Sequence, residues 1–176
     1  KQEMWDKQWP RGETFYTNFK SPVVIDLPGY SYEQESHQKS RELLKNFFTT
    51  KDEEEKTKIR EEYNKDAFDH HRSVKEQFEA ALKEDHDFVL GYFSLADVIG
   101  HLNFGNNLLM KMVYKEFDEI AAKIDSNKLI ILSDHGMEGI GMFGDHSRYG
   151  FWSTNFTNLE TPKITDFGKI IKEAKE

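Results

Sequence analysis

Leu129-Ile130-Ile131-Leu132-Ser133-Asp134-His135-Gly136-Met137 combines an aliphatic run with chemistry-bearing residues at its end. Its aliphatic run reads as a strand buried on both faces, and it ends abruptly in an acid, an imidazole and a glycine. In open parallel sheets the carboxyl rim of the strands is where ligands sit. Asp134 and His135 offer a hard oxygen beside a borderline nitrogen, a pair suited to zinc or manganese. The competing reading is a helix-capping Asp beside a surface His.

Working outward, Asp87-Phe88-Val89-Leu90-Gly91-Tyr92-Phe93-Ser94 is a second strand, and Leu95-Ala96-Asp97-Val98-Ile99-Gly100-His101 follows it. Asp97 and His101 are four apart, so a helical turn projects both to one side, where they can share an ion. Gly100 fits a backbone that passes close to something or needs positive φ. The plainer alternative is an N-cap Asp with an incidental His. Leu109, Val113, Phe117, Ile120 and Ile124 then mark an amphipathic helix that leads into the opening stretch. Strand, turn, helix and strand predict a βαβ unit with parallel strands, which puts Asp97, His101, Asp134 and His135 on one rim. The glycine-rich run from Glu138 to His146 reads as loop, able to fold Asp145 or His146 back over that rim. Arg148, Tyr149 and Trp152 suit the wall of an anion pocket, or equally aromatic core packing.

The amino half carries less chemistry. Residues 1–20 hold Trp5, Trp9, Phe15, Tyr16 and Phe19 around a Pro10-Arg11-Gly12 turn and show no period. Pro22-Val23-Val24-Ile25-Asp26 reads as a short strand closed by Leu27-Pro28-Gly29, and Asp26 reads first as a turn former. Residues 31–83 are helical in pattern, with a break near Thr49-Thr50-Lys51-Asp52. Lys51 to Asp66 is dense in charge and reads as a solvated helix, whereas Tyr63, Ala67, Val74, Phe78 and Leu82 form an apolar stripe. Asp66 and His70 stand one turn apart, and a surface ion pair is the simpler reading of them. Together these elements predict a single α/β domain over residues 1–176. It has a mostly parallel sheet flanked by helices and a charged helical insertion at about 31–83.

Composition bounds the function. Lys and Arg number 24 against 32 Asp and Glu, a formal charge of -8, which disfavours binding nucleic acid by phosphate neutralisation. There is no cysteine, so disulfides, thiolate ligands and a cysteine nucleophile are excluded and any metal must be held by oxygen and nitrogen. No apolar run approaches the roughly 20 residues that cross a bilayer, so no membrane partner and a cytoplasmic location are expected.

Taken in order, Asp97-Val98-Ile99-Gly100-His101, Ser133-Asp134-His135-Gly136-Met137 and Asp145-His146 resemble the alkaline phosphatase superfamily. Within it they look most like the archaeal-type members of the type I phosphodiesterase/nucleotide pyrophosphatase branch, over about Asp87 to Trp152. The resemblance implies an alkaline phosphatase-like sheet with two divalent ions, zinc or else manganese, acting on a small phosphate ester or nucleotide. By motif, Asp97, His101 and His146 would hold the first ion, and Asp134 and His135 would help hold the second. The family's second ion also takes an Asp closing the first strand and a Thr or Ser that is the nucleophile. Here Asp26 with Thr49 or Thr50 stands in that order, but its flanks do not resemble the family's nucleophile loop. The expectation is therefore a carboxyl-terminal portion whose nucleophile lies before Lys1. Such a set suits an anionic ester, because paired cations about 3.5–4 Å apart activate the nucleophile and stabilise the leaving oxygen. Two alternatives stand beside a phosphodiesterase: a phosphotransferase of the cofactor-independent phosphoglycerate mutase type, and a non-catalytic metal-binding or interaction module. A sulfatase is disfavoured by the missing cysteine.

Overall fold

The structure is a computed structural model that describes residues 14–32 and 34–175; Trp5, Trp9 and the turn at Pro10 to Gly12 lie outside the described residues. Helix accounts for 52% of it and strand for 15%, so helices rather than a broad sheet carry the core. In chain order the elements are β1 (Pro22–Ile25), α1 (Gln34–Thr49), α2 (Glu53–Ala81), β2 (Phe88–Gly91), α3 (Leu95–Asn103) and α4 (Asn107–Ala122). Then come β3 (Ile130–Ser133), β4 (Met137–Ile140), β5 (Phe143–His146), β6 (Phe151–Thr154) and α5 (Phe167–Ala174).

The spine is α2. Asp52 starts it by accepting from the backbone N–H groups of Glu54 at 2.9 Å and Glu55 at 3.3 Å, and three further acids occupy the first turn, where the helix dipole favours them. Thr50 supports this cap, its Oγ1 accepting from Asp52 N. The predicted stripe is buried as Tyr63, Ala67, Val74 and Phe78, whereas Leu82 is the C-cap and is exposed. Twenty-nine residues span about 43 Å, enough for one helix to enter three apolar clusters. Val74, Phe78 and Ala81 pack with Ile25 and Ile120, Ala67 packs with Leu95, Ile99 and Val113, and Tyr63 packs with Leu43, Phe47 and Leu102. A reciprocal amide pair between Asn64 and the buried Asn103 ties α2 to α3.

Strand pairing departs from expectation. β1 and β2 are parallel, with Val23 opposite Val89, but β3 pairs antiparallel with β6 and β4 antiparallel with β5. Among the described residues there are thus three two-stranded sheets, and β3 does not extend β2 as the βαβ reading required. The strand read as buried on both faces is open instead, with Ile131 39% and Leu132 40% exposed. The chain turns back after His146 and lays β6 along β3, a local return that favours antiparallel pairing. The glycine-rich run read as loop is the β4–β5 hairpin, with Gly141 at φ 64 in its two-residue turn.

His71 is a buried group that ties stability to pH. It lies between the rings of Phe93 and Phe117, with Glu116 Oε1 at 3.5 Å and Lys75 and His70 nearby. Burial lowers its pKa, and Glu116 only partly opposes this. The unfolded chain takes the proton near pH 6.5, so stability is complete above that value and is lost as pH falls toward the lower folded pKa. His71→Leu is expected to narrow the difference between urea midpoints at pH 7 and pH 5. It will not abolish it, because buried His37 shifts in the same direction.

Candidate metal centre

The end of β2 delivers the chain straight into α3, whose first and last turns carry Asp97 and His101. Helical spacing aligns the two, with Asp97 Oδ1 3.4 Å from His101 Nε2. The hairpin supplies the rest. It is held against α3 by a bond from Gly105 N to Met142 O at 3.0 Å and by His101 Nδ1, which donates to Gly144 O at 3.1 Å. At the end of β5 this brings His146 Nε2 to 3.0 Å from the same Asp97 oxygen and 3.3 Å from His101 Nε2. Asp97, His101 and His146 each offer a ligand atom within 4.8 Å of the others. His135 stands at the margin, its ring stacked on His146 at 3.8 Å and its Nε2 4.0 Å from Asp97 Oδ1.

Tautomers are set by the partners. A carbonyl oxygen can only accept, so the contact with Gly144 O puts the proton on His101 Nδ1, and that with Gly136 O at 3.0 Å does the same for His135. In the neutral rings both Nε2 atoms are then lone pairs facing the Asp97 carboxylate. That carboxylate oxygen is buried yet accepts no hydrogen bond. Lone pairs gathered around an unsatisfied carboxylate oxygen fit a cation, and the N,N,O donor set suits zinc.

Beside this group runs a cleft of about 130 Å³, lined in part by Asp97, His101, Arg41, Tyr63 and Tyr92. That volume admits a group of phosphate size, and the cleft opens to solvent beyond it. Burial pushes the Tyr63 and Tyr92 phenols up in pKa, so both are neutral donors at physiological pH.

The other expected residues fall elsewhere. Asp134, though next to His135, is outside the group: its side chain is 71% exposed, and its Oδ1 accepts from the His135 N–H at 3.1 Å. Thr49 Oγ1 donates to Lys45 O at 3.0 Å and Thr50 pairs with Glu55, so both serve the α1–α2 junction. Tyr149 is exposed with the Arg148 guanidinium 6.0 Å from its ring, and Trp152 faces Leu132 across the β3–β6 ladder. None of the three lines the cleft described. Asp26 belongs to a separate group with His37 and His70. Sequence reasoning missed Arg41, the cleft's cation. The available signal was its four-residue spacing from His37, which puts the two on one face of α1.

Compared with known proteins, the chain matches no family model, no curated protein and no solved structure.

Gly144 tests the hairpin's part in this arrangement. A Cβ there would lie 2.6 Å from Gly100 O and against Met137 Sδ, so the hairpin must move. Gly144→Ala is expected to weaken zinc binding by about 10–100-fold in calorimetry, as for loss of a ligand's supporting contact, with circular dichroism unchanged. Wild-type affinity in this variant would remove the hairpin's positioning role.

Proposed function

We propose that the chain is the metal-binding part of a hydrolase acting on phosphate esters, with Asp97, His101 and His146 holding one divalent cation. The observation that carries this reading is the buried Asp97 oxygen that accepts no hydrogen bond while three imidazole Nε2 atoms lie within 4.0 Å of it. The motif order, which resembles that of the alkaline phosphatase superfamily's phosphodiesterase branch, and the phosphate-sized cleft with its arginine support the substrate class. The chemistry a zinc ion supplies in such a place is polarisation of a phosphoryl oxygen and charge relief for the leaving group. Arg41 neutralises a non-bridging oxygen, and the neutral Tyr63 and Tyr92 phenols donate to others. His135, stacked on His146, keeps that ring oriented and walls the site on the hairpin side.

A second reading has its own observation. The resemblance implies two ions, yet Asp134 falls outside both groups of metal-type donors found among the described residues, and its side chain is 71% exposed. This favours a one-ion, non-catalytic metal-binding module. The two readings part on turnover. The zinc held beside Asp97 should be lost in His101→Ala and in His146→Ala, and barely altered in Asp134→Ala if one ion is held there. Zinc-dependent release of nitrophenolate from bis-p-nitrophenyl phosphate is expected from this chain or from the complete product of its gene. Zinc bound without turnover in both leaves the binding module; no zinc bound in either ends both readings.

A further inference from the structure

A second group of metal-type donors lies at the other strand end. β1 closes on Asp26, which sits in the left-handed region at φ 56 and is buried, its side chain only 4% exposed. Asp can adopt this conformation, but it is a strained one for a non-glycine residue and its effect here is to turn the carboxylate inward. α1 brings His37 and α2 brings His70 to the same place. His70 Nε2 lies 2.7 Å and His37 Nε2 3.5 Å from one oxygen, Asp26 Oδ2, and the two side chains are 9% and 8% exposed. The three ligand atoms lie within 4.8 Å of one another, and the imidazole planes stand at 78°, so the rings converge edgewise rather than stack.

Three further observations point to a ligand. His37 Nε2 is buried, aims at Asp26 and has no hydrogen-bond partner among the described residues. Its ring is clamped against Tyr32 at 3.4 Å, so its direction is fixed. Both His37 and Tyr32 line the cleft that also reaches Asp97 and His101, which gives an ion a route in and leaves a coordination position open to solvent. The protonation states agree. Burial lowers the pKa of His37, and although burial alone would raise that of Asp26, the hydrogen bond with His70 and the charge of the two imidazoles bring it down. Near neutral pH a carboxylate therefore faces a neutral imidazole, the forms a metal ion requires.

We propose that Asp26, His37 and His70 form a second, separate site for a divalent cation, zinc by its two-nitrogen, one-carboxylate donor set. It stands independently of the phosphate-ester reading, since it shares no ligand with Asp97, His101 and His146. The ion would take the place of the hydrogen-bonded proton between Asp26 and His70, with the neutral ring carrying its proton on Nδ1; protons compete with the ion for the imidazole nitrogens, so binding weakens as the pH falls below the histidine range.

Crystals of the wild-type chain exposed to zinc alone, with data collected on both sides of the zinc edge, test this directly. An anomalous peak within bonding distance of Asp26 Oδ2, His37 Nε2 and His70 Nε2 is the expected result. No peak there overturns the proposal and leaves a buried His-Asp-His hydrogen-bonded group, whatever appears beside Asp97. A peak beside Asp97 is a separate outcome that bears only on the first site, so the two ideas fail independently. In solution, His37→Gln combined with His70→Gln is expected to lower bound zinc from two equivalents to one, while His101→Ala combined with His146→Ala removes the other. Two equivalents retained in the His37/His70 variant also overturn the proposal. If that variant does not fold, the wild-type anomalous map decides.

Discussion

The arrangement depends on the contact of Gly100 in α3 with Gly144 in β5. A Cβ on Gly144 would meet the Gly100 carbonyl, and one on Gly100 would meet the Met137 side chain, so the hairpin lies on the helix with backbone nearly touching backbone. Only at that separation does His101, one residue after Gly100, reach Gly144 O with its Nδ1. The same approach carries His146, two residues after Gly144, to the Asp97 oxygen. The glycines and the metal-type donors are thus one device: the close packing fixes the ring and the ring presents its other nitrogen.

The two donor groups solve one electrostatic problem differently. At Asp97 the imidazoles are oriented by backbone carbonyls, and the carboxylate oxygen is left without a hydrogen bond. At Asp26 the carboxylate meets an imidazole at 2.7 Å, and the orphaned polar atom is His37 Nε2. Burial is much deeper there, so an unmatched lone pair costs more than at the partly exposed first group. In each case a divalent cation, as proposed, would fit for the same reason: it is a positive centre with no protons of its own to place.

Much of the first site was legible because it is local. Asp97 and His101 are joined by the helical period, and His146 follows a turn that Gly141 marks, although the run was read as loop and folds as a hairpin. What was not legible is what depends on tertiary pairing. Ile130 to Leu132 has the composition of a doubly covered strand, yet β6 returns along it and its faces stay open. Whether a strand finds a parallel or an antiparallel neighbour is not encoded in its own hydrophobicity. His37 and His70 were harder still. They are 33 residues apart on different helices, and only the packing of α1 on α2 brings them to Asp26. Helical spacing pairs His70 with Asp66, but Asp66 binds Lys39 instead. The amino half thus read as a charged insertion, although α1 supplies one wall of the cleft.

Charge decides what a cation at either donor group would change. The chain carries a net -8, and the cleft is bordered by Asp97 and backed by Asp26 through His37, so a phosphate ester approaching it meets repulsion from both ends. Arg41 alone offsets one charge, and it does so from an exposed position where water screens it. On the proposed function, a divalent ion on Asp97 would reverse the sign at the mouth, and one on Asp26 would remove the opposing field behind His37. Occupancy rather than sequence would then set the polarity of the cleft. The acidic composition would act as a filter, the bare surface repelling an anion that the ion-loaded one could attract.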